Sequence, residues 1–212
     1  MASPDKTPDL TLYHHPHSRS PIVRWMLEEV GQPYAIKLMD LAAGDQRKPD
    51  FLKLNTMGKI PLLVADGVPI AEGPAICLWL ADRFPAKGLA PAPDAPDRGP
   101  CLRWLFFSGS VLEPALMDAH HQRESPPAQA GWGDLERVLN TLEEGLAKHG
   151  EWLLPRFSAA DVMIGSGLRF AMMFGMLEKR KSFTDYVARL EARPALQRTL
   201  AKDAALLEAK PA

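Results

Sequence analysis

Cysteine is nearly missing from this chain: two among 212 residues, Cys77 and Cys101, with no CxxC and no Cys/His cluster. That excludes a disulfide scaffold and a zinc ribbon, and it fits a reducing cytoplasm. An excess of one charge sign is missing too. Lys and Arg number 25 against 26 Asp and Glu, so no global field exists to hold a polyanion, and nucleic acid is not an expected partner. No apolar run approaches the roughly 20 residues that a membrane span needs. The polar, proline-broken opening, residues 1–9, does not read as a signal peptide. What is present is ordinary globular composition, 46% hydrophobic and 24% charged, apolar enough to exclude a disordered chain. The expectation is a soluble cytoplasmic protein of one large domain or two of about 100 residues each.

Proline, by contrast, is abundant and unevenly spread: 14 of the 20 fall in residues 1–100. Because proline breaks helix interiors, the first half should hold short elements and turns, and the second half long helices. Pro91, Pro93 and Pro96 stand too close together for a helix or a central strand, so residues 87–97 read as a semi-rigid linker. It separates an α/β domain, residues 1–86, from an all-α domain, residues 98–212.

The first domain parses in order. Leu10-Thr-Leu-Tyr13 is a β-prone first strand. Ser20 at the N-cap and Pro21 at N1 predict a helix whose apolar face is Ile22, Val23, Met26, Leu27 and Val30, closed by Gly31. Residues 34–38 read as a strand and 50–54 as a short helix. Residues 60–64 and 68–70 flank Asp66-Gly67, a strong hairpin signal. Pro74 opens a helix carrying Ile76, Leu78, Leu80 and Ala81. The order β-α-β-α-β-β-α is an α/β sandwich of about 85 residues. In the second domain, Leu135, Val138, Leu139, Leu142 and Leu146 follow helical spacing, as do Leu102, Leu105, Phe106 and Leu112. Ser158-Ala-Ala-Asp161 has the spacing of a capping box, and Pro194 opens a last helix with Leu196, Leu200 and Leu207.

Four blocks occur in order: Leu12-Tyr-His-His-Pro-His-Ser-Arg-Ser20 with Val23-Arg-Trp25 and Leu27-Glu-Glu-Val-Gly-Gln-Pro-Tyr34, then Phe51-Leu-Lys-Leu-Asn-Thr-Met-Gly-Lys-Ile-Pro61, Glu72-Gly-Pro-Ala-Ile76 and Phe157-Ser-Ala-Ala-Asp161. Together they resemble the cytosolic glutathione transferases of bacterial type. The similarity runs from Leu10 to about Leu200 and implies a thioredoxin-like domain followed by the family's all-helical domain. Two positions depart from the pattern. Thr56 stands where the family has proline, and Gly73 replaces the serine whose hydroxyl holds the γ-glutamyl carboxylate of glutathione. Losing that charge-assisted bond weakens binding by about 1–3 kcal/mol unless something compensates.

The resemblance implies a serine-type site. Glutathione attacks as a thiolate, which a hydroxyl donor and the positive end of a helix can stabilise. Ser18, between the first strand and the first helix and unclaimed by capping, is the expected donor, with Ser20 and Tyr13 as alternatives. Arg19 occupies the position of the beta-type catalytic cysteine, which argues against mixed-disulfide chemistry. Both real cysteines read as small buried hydrophobes. A cis Ile60-Pro61 turn would pair with the cysteinyl backbone, Glu72 with the γ-glutamyl amine and Gly73 with its carboxylate. Lys59 or Lys48 would meet the glycyl carboxylate. His15, His17, Trp104, Phe107 and Met117 are candidates for the electrophile pocket.

Five histidines, His14, His15, His17, His120 and His121, lack a recognised ligand spacing, so no metal is expected. Lys179-Arg-Lys181 reads as a solvated corner. The implied activity is glutathione transfer to a hydrophobic electrophile by a homodimer. The alternatives are a glutathione-dependent cis–trans isomerase of the zeta type, whose Ser-Ser-Cys run His17-Ser18-Arg19 does not match, and a non-catalytic ligand-binding or interaction module, which Gly73 favours.

Overall fold

The computed structural model describes residues 8–208, so most of the proline-broken opening lies outside the described residues. The first half runs β1 (Leu10–His14), α1 (Ser20–Val30), β2 (Ala35–Leu38), α2 (Pro49–Leu52), β3 (Leu62–Ala65), β4 (Val68–Ala71) and α3 (Gly73–Arg83). This is the order expected from the turn signals. The four strands form one sheet in the order β2-β1-β3-β4, with β1 parallel to β2 and antiparallel to β3, and β3 antiparallel to β4. Asp66 and Gly67 both have positive φ, 48° and 81°, the two-residue turn whose twist matches the strands it joins. Gly31, at φ 70°, ends α1 and donates its N–H to the Leu27 carbonyl at 2.9 Å.

One element boundary differs in a way that matters. Ser20 is not the N-cap of α1. It is the first helical residue, and Arg19 holds the cap position without a side-chain bond. The reason is competition: the Ser20 hydroxyl is already engaged by the His15 N–H at 3.0 Å and by the His14 ring at 2.8 Å.

Contacts group the chain into two compact units. One takes the residues up to Leu80 together with those from Pro194 onward, and the other is Ala81–Arg193. The last helix, α9 (Pro194–Glu208), therefore packs with the first unit, against α1. Its buried residues are Ala195, Leu196, Thr199 and Asp203. Leu207, expected on the apolar face, is exposed. A polar seam accompanies the buried Leu196. Glu28 of α1, buried, accepts from Arg198 at 3.0 Å, from Lys202 and from the Tyr34 hydroxyl.

Burial alone would raise the Glu28 carboxyl, but the donors from Lys202, Tyr34 and Arg198 outweigh it and hold the group below its ordinary value of 4.5. A depressed carboxyl contributes stability that is complete above the unfolded value and is lost as pH falls through the folded one. Glu28→Gln is accordingly expected to destabilise the protein by about 1–3 kcal/mol near neutrality. The gap in melting temperature between wild type and variant should close on acidification below 4.5. A gap independent of pH would mean that the charge of Glu28 contributes nothing.

The second unit contains α4 (Arg98–Phe107), a π-type turn over Ser108–Leu112, α5 (Glu113–His120), α6 (Leu135–His149), α7 (Ala159–Met173) and α8 (Lys181–Glu191). Asp134 caps α6 by accepting from the Arg137 N–H at 2.8 Å, and Val138, Leu139, Leu142 and Leu146 are buried as their spacing predicts. On α4 the buried stripe is Cys101, Trp104 and Leu105, continuing to Ser108 and Leu112. Phe106, expected in that stripe, is exposed, because the helix has turned Trp104 inward instead. There the indole fills the space left by Gly145 of α6: a Cβ at Gly145 would stand 2.4 Å from the Trp104 ring. The capping box at α7 forms, with the Ser158 hydroxyl accepting from the Ala160 N–H and Asp161 from the Ser158 N–H. Leu89 is buried and its carbonyl accepts from the Ala159 N–H at 2.7 Å. Arg98 grips Asp82 at 2.6 Å and the Pro91 carbonyl at 2.9 Å. Arg180, at the centre of the expected solvated corner, instead ties the start of α8 to Asn140, Glu143 and Glu136 of α6.

Candidate functional site

The register of the sheet determines what can meet. Tyr13 on β1 stands opposite Leu62 on β3, and Leu62 stands opposite Ala71 on β4. The end of β1, the start of β3 and the end of β4 therefore lie at one end of the sheet. The segments that continue from them carry Ser18, Ile60-Pro61 and Glu72-Gly73. Residues 18, 60 and 72 are distant in sequence, and the register places their segments together.

Ser18 lies in the β1–α1 loop, half-buried. Its oxygen accepts from the Ser20 N–H at 3.0 Å, so it covers an end of α1 that was expected to leave it free. An accepted bond leaves the hydroxyl proton available. That proton has two acceptors in reach, the His15 carbonyl and the Ser20 hydroxyl oxygen, each at 2.8 Å. Ser20 is fully buried and bonds inward to Nδ1 of His14. Tyr13 is elsewhere. Successive strand residues face opposite sides of a sheet, so its ring points away from His14 and packs with Phe51, Met39 and Leu62. The structure does not bring Tyr13 to the serines.

The Ile60-Pro61 bond is cis, as the resemblance implies. Glu72 is exposed and held at φ 68°, a region costly for any side chain but glycine. Its carbonyl accepts from the Ile76 N–H at 2.9 Å, so Gly73 is the first residue of α3 and Pro74 the second. Of the two lysines, Lys48 is engaged with Asp45 at 2.6 Å, a bond that raises its ammonium pKa. Lys59 is exposed, and its carbonyl accepts from the Asn55 side chain at 2.8 Å. His15 and His17 stack edge-on at 5.8 Å, His17 exposed and His15 half-buried.

In the second unit, Trp104 and Phe107 meet edge to face at 5.3 Å, with the Arg103 guanidinium 4.2 Å over the indole. Trp104 is only 4% exposed and serves as packing within the unit, whereas Phe107 and Met117 are half-buried. The cysteines are inert by position: burial pushes Cys77 up to about 12 and Cys101 up to about 11. Neither supplies a thiolate.

The residues that the sequence reading missed are His14 and Asp203. His14 was weighed there only as one of five possible metal ligands, although alternation with Leu12 on β1 already turns it to the buried face. Nothing in the sequence links it to Asp203, whose carboxylate accepts from His14 Nε2 at 2.9 Å and also from Arg24.

Comparison with known proteins agrees with this architecture. The family model for the glutathione S-transferase N-terminal domain matches residues 8–82. Glutathione S-transferase 3 of Schizosaccharomyces pombe is 33% identical over 52% of this chain, which spans 46% of that relative. The disulfide-bond oxidoreductase YfcG of Escherichia coli strain K12 is 27% identical over 91% of this chain and 95% of its own. A solved sphingomonad glutathione S-transferase, complexed with glutathione, is 30% identical over 92% of this chain and 98% of its own, with a TM-score of 0.76. A matching N-terminal domain, a shared sheet and helical architecture, and 30% identity across nearly the whole of a solved member together make this chain a member of the glutathione S-transferase family of enzymes.

Proposed function

We propose that this chain binds glutathione at the end of the sheet where Ser18, Ile60-Pro61 and Glu72-Gly73 converge, and that Ser18 stabilises its thiolate for attack on a hydrophobic electrophile. The convergence of those three segments through the Tyr13, Leu62 and Ala71 register carries the reading. The peptide flanking Pro61 pairs with the cysteinyl backbone like an added strand. Glu72 meets the γ-glutamyl amine, and the Gly73 N–H at the start of the 11-residue α3 meets its carboxylate. Lys59 is the better partner for the glycyl carboxylate, because Lys48 is already held by Asp45. The hydroxyl proton of Ser18 turns from the His15 carbonyl to the sulfur while its oxygen keeps the Ser20 N–H. The family resemblance extends the reading to a hydrophobic electrophile and a cytoplasmic homodimer.

Ultraviolet thiolate absorbance of bound glutathione, titrated with pH, tests the assignment. Wild type is expected to lower the thiol pKa by one to two units, each worth ~1.4 kcal/mol, and Ser18→Ala to lose that shift while still binding glutathione by calorimetry. A shift retained in Ser18→Ala would move the role to another donor. Kinship with YfcG favours disulfide reduction as a second reading. With Cys77 and Cys101 buried, the reducing equivalents would come from glutathione itself, and turnover of a glutathione mixed disulfide tests it.

A further inference from the structure

Ionising a thiol leaves a proton to be placed, and a route for it runs inward from Ser18. The Ser18 and Ser20 oxygens are 2.8 Å apart, Ser20 Oγ is 2.8 Å from His14 Nδ1, and His14 Nε2 is 2.9 Å from Asp203 Oδ1. Ser20 and His14 are fully buried and Asp203 nearly so, while Ser18 is half-buried. Asp203 is an acceptor of two hydrogen bonds, from Arg24 and from His14. With Nε2 donating to Asp203, the neutral ring presents its Nδ1 lone pair to the Ser20 hydroxyl. When the Ser18 proton is turned to Ser20 instead of to the His15 carbonyl, donation runs Ser18 to Ser20 to His14 Nδ1. A hydroxyl, an imidazole and a carboxylate in line form the arrangement in which histidine takes a proton and the carboxylate steadies the resulting imidazolium.

We propose that His14 is the proton acceptor for glutathione's thiol, reached through the Ser18 and Ser20 hydroxyls, with Asp203 as the positioning residue that holds the ring. This rests on the reading of Ser18 given above. In the step, the S–H bond breaks and an O–H bond forms at Ser18. Ser18 passes its own proton to Ser20, Ser20 passes its own to Nδ1, and no electrons change hands. The products are a thiolate and an imidazolium, with both serines restored.

Charge balance favours keeping the proton. Arg24 and Asp203 already cancel, and Arg24 also reaches the Tyr34 hydroxyl at 3.4 Å, on the side of the Glu28 cluster. A proton retained on His14 cancels the thiolate as well. One released to solvent would leave the thiolate's charge uncancelled by this network, beside the fully buried Ser20 and His14, which is costly.

A proton inventory decides the matter in the wild-type protein. Glutathione is added in weak buffer with a pH indicator while thiolate absorbance is recorded, and S-methylglutathione, which has no thiol, supplies the background. The expected result is thiolate formation with close to no net proton released. His14→Phe should release about one proton for each thiolate it still forms, and it should form fewer. Release of about one proton per thiolate by wild type overturns the relay even if His14→Phe fails to fold. Asp203→Asn, which keeps the side-chain shape, should lower the thiolate yield, with glutathione affinity falling no further than that loss of ionisation requires; an unchanged yield removes Asp203 from the step. Thiolate surviving in Ser18→Ala overturns the Ser18 reading, which a full proton released by wild type would leave standing.

Discussion

Asp161→Ala is expected to destabilise the protein by about 3–5 kcal/mol, the largest effect of any single change considered. The carboxylate has no exposure. It accepts from the Leu153 N–H at 3.0 Å, the Ser158 N–H at 2.9 Å, the Ser158 hydroxyl at 3.1 Å and the Tyr186 hydroxyl at 2.9 Å. Burial pushes its carboxyl up, and those donors, led by the Leu153 N–H, offset part of that push. Truncation to alanine would leave buried donors on three residues without a partner and dismantle the box that starts α7. Two milder changes separate the contributions. Ser158→Ala removes one cap and should cost about 1 kcal/mol. Tyr186→Phe removes one donor and should cost a similar amount. Urea denaturation of the three variants checks the order, and an Asp161→Ala cost no larger than that of Ser158→Ala would mean that water replaces the carboxylate.

Gly73→Ser is expected to tighten glutathione binding about tenfold, the equivalent of ~1.4 kcal/mol. Gly73 is the first residue of α3 and is not among the glycines with positive φ, so its backbone conformation is one that serine adopts. A hydroxyl there would add a donor for the γ-glutamyl carboxylate beside the backbone N–H, and hydrogen bonds to charged groups contribute about 1.5–3 kcal/mol. Titration calorimetry of glutathione against both proteins measures it. An unchanged affinity would mean that the carboxylate does not sit at the start of α3. The placement of the γ-glutamyl end would then have to be redrawn around Glu72.

Much of the first unit was legible because its signals are short-range. Asp66-Gly67 can form its turn from two residues' backbone preferences, Gly31 ends α1 through a single left-handed residue, and the Ser158–Asp161 pair closes its box within one helical turn. Misreadings arose where several groups competed for one atom. Ser20 has the chemistry of an N-cap, and its hydroxyl went to His14 and His15. Phe106 has the spacing of a buried residue, but the stripe that packed inward was that of Trp104; Leu207 shares the face of Asp203 but lies one turn beyond the last buried position of α9.

The site divides along the same line. Ser18, Ile60-Pro61 and Glu72-Gly73 could be named from the sequence because each belongs to a contiguous motif resembling the family's. That Tyr13 turns away, that Lys48 is occupied and that Trp104 is spent on Gly145 followed only from the packing. The sequence by itself determined the order of elements in the first unit, the hairpin, the Gly31 end of α1, the Ser158–Asp161 box and the family, since each rests on contiguous motifs or on residues within a few positions of one another. Tertiary structure alone decided that α9 returns to α1 and sets Asp203 against a histidine 189 positions away. A buried charge must find its partners wherever the packing puts them, and no local spacing encodes that distance.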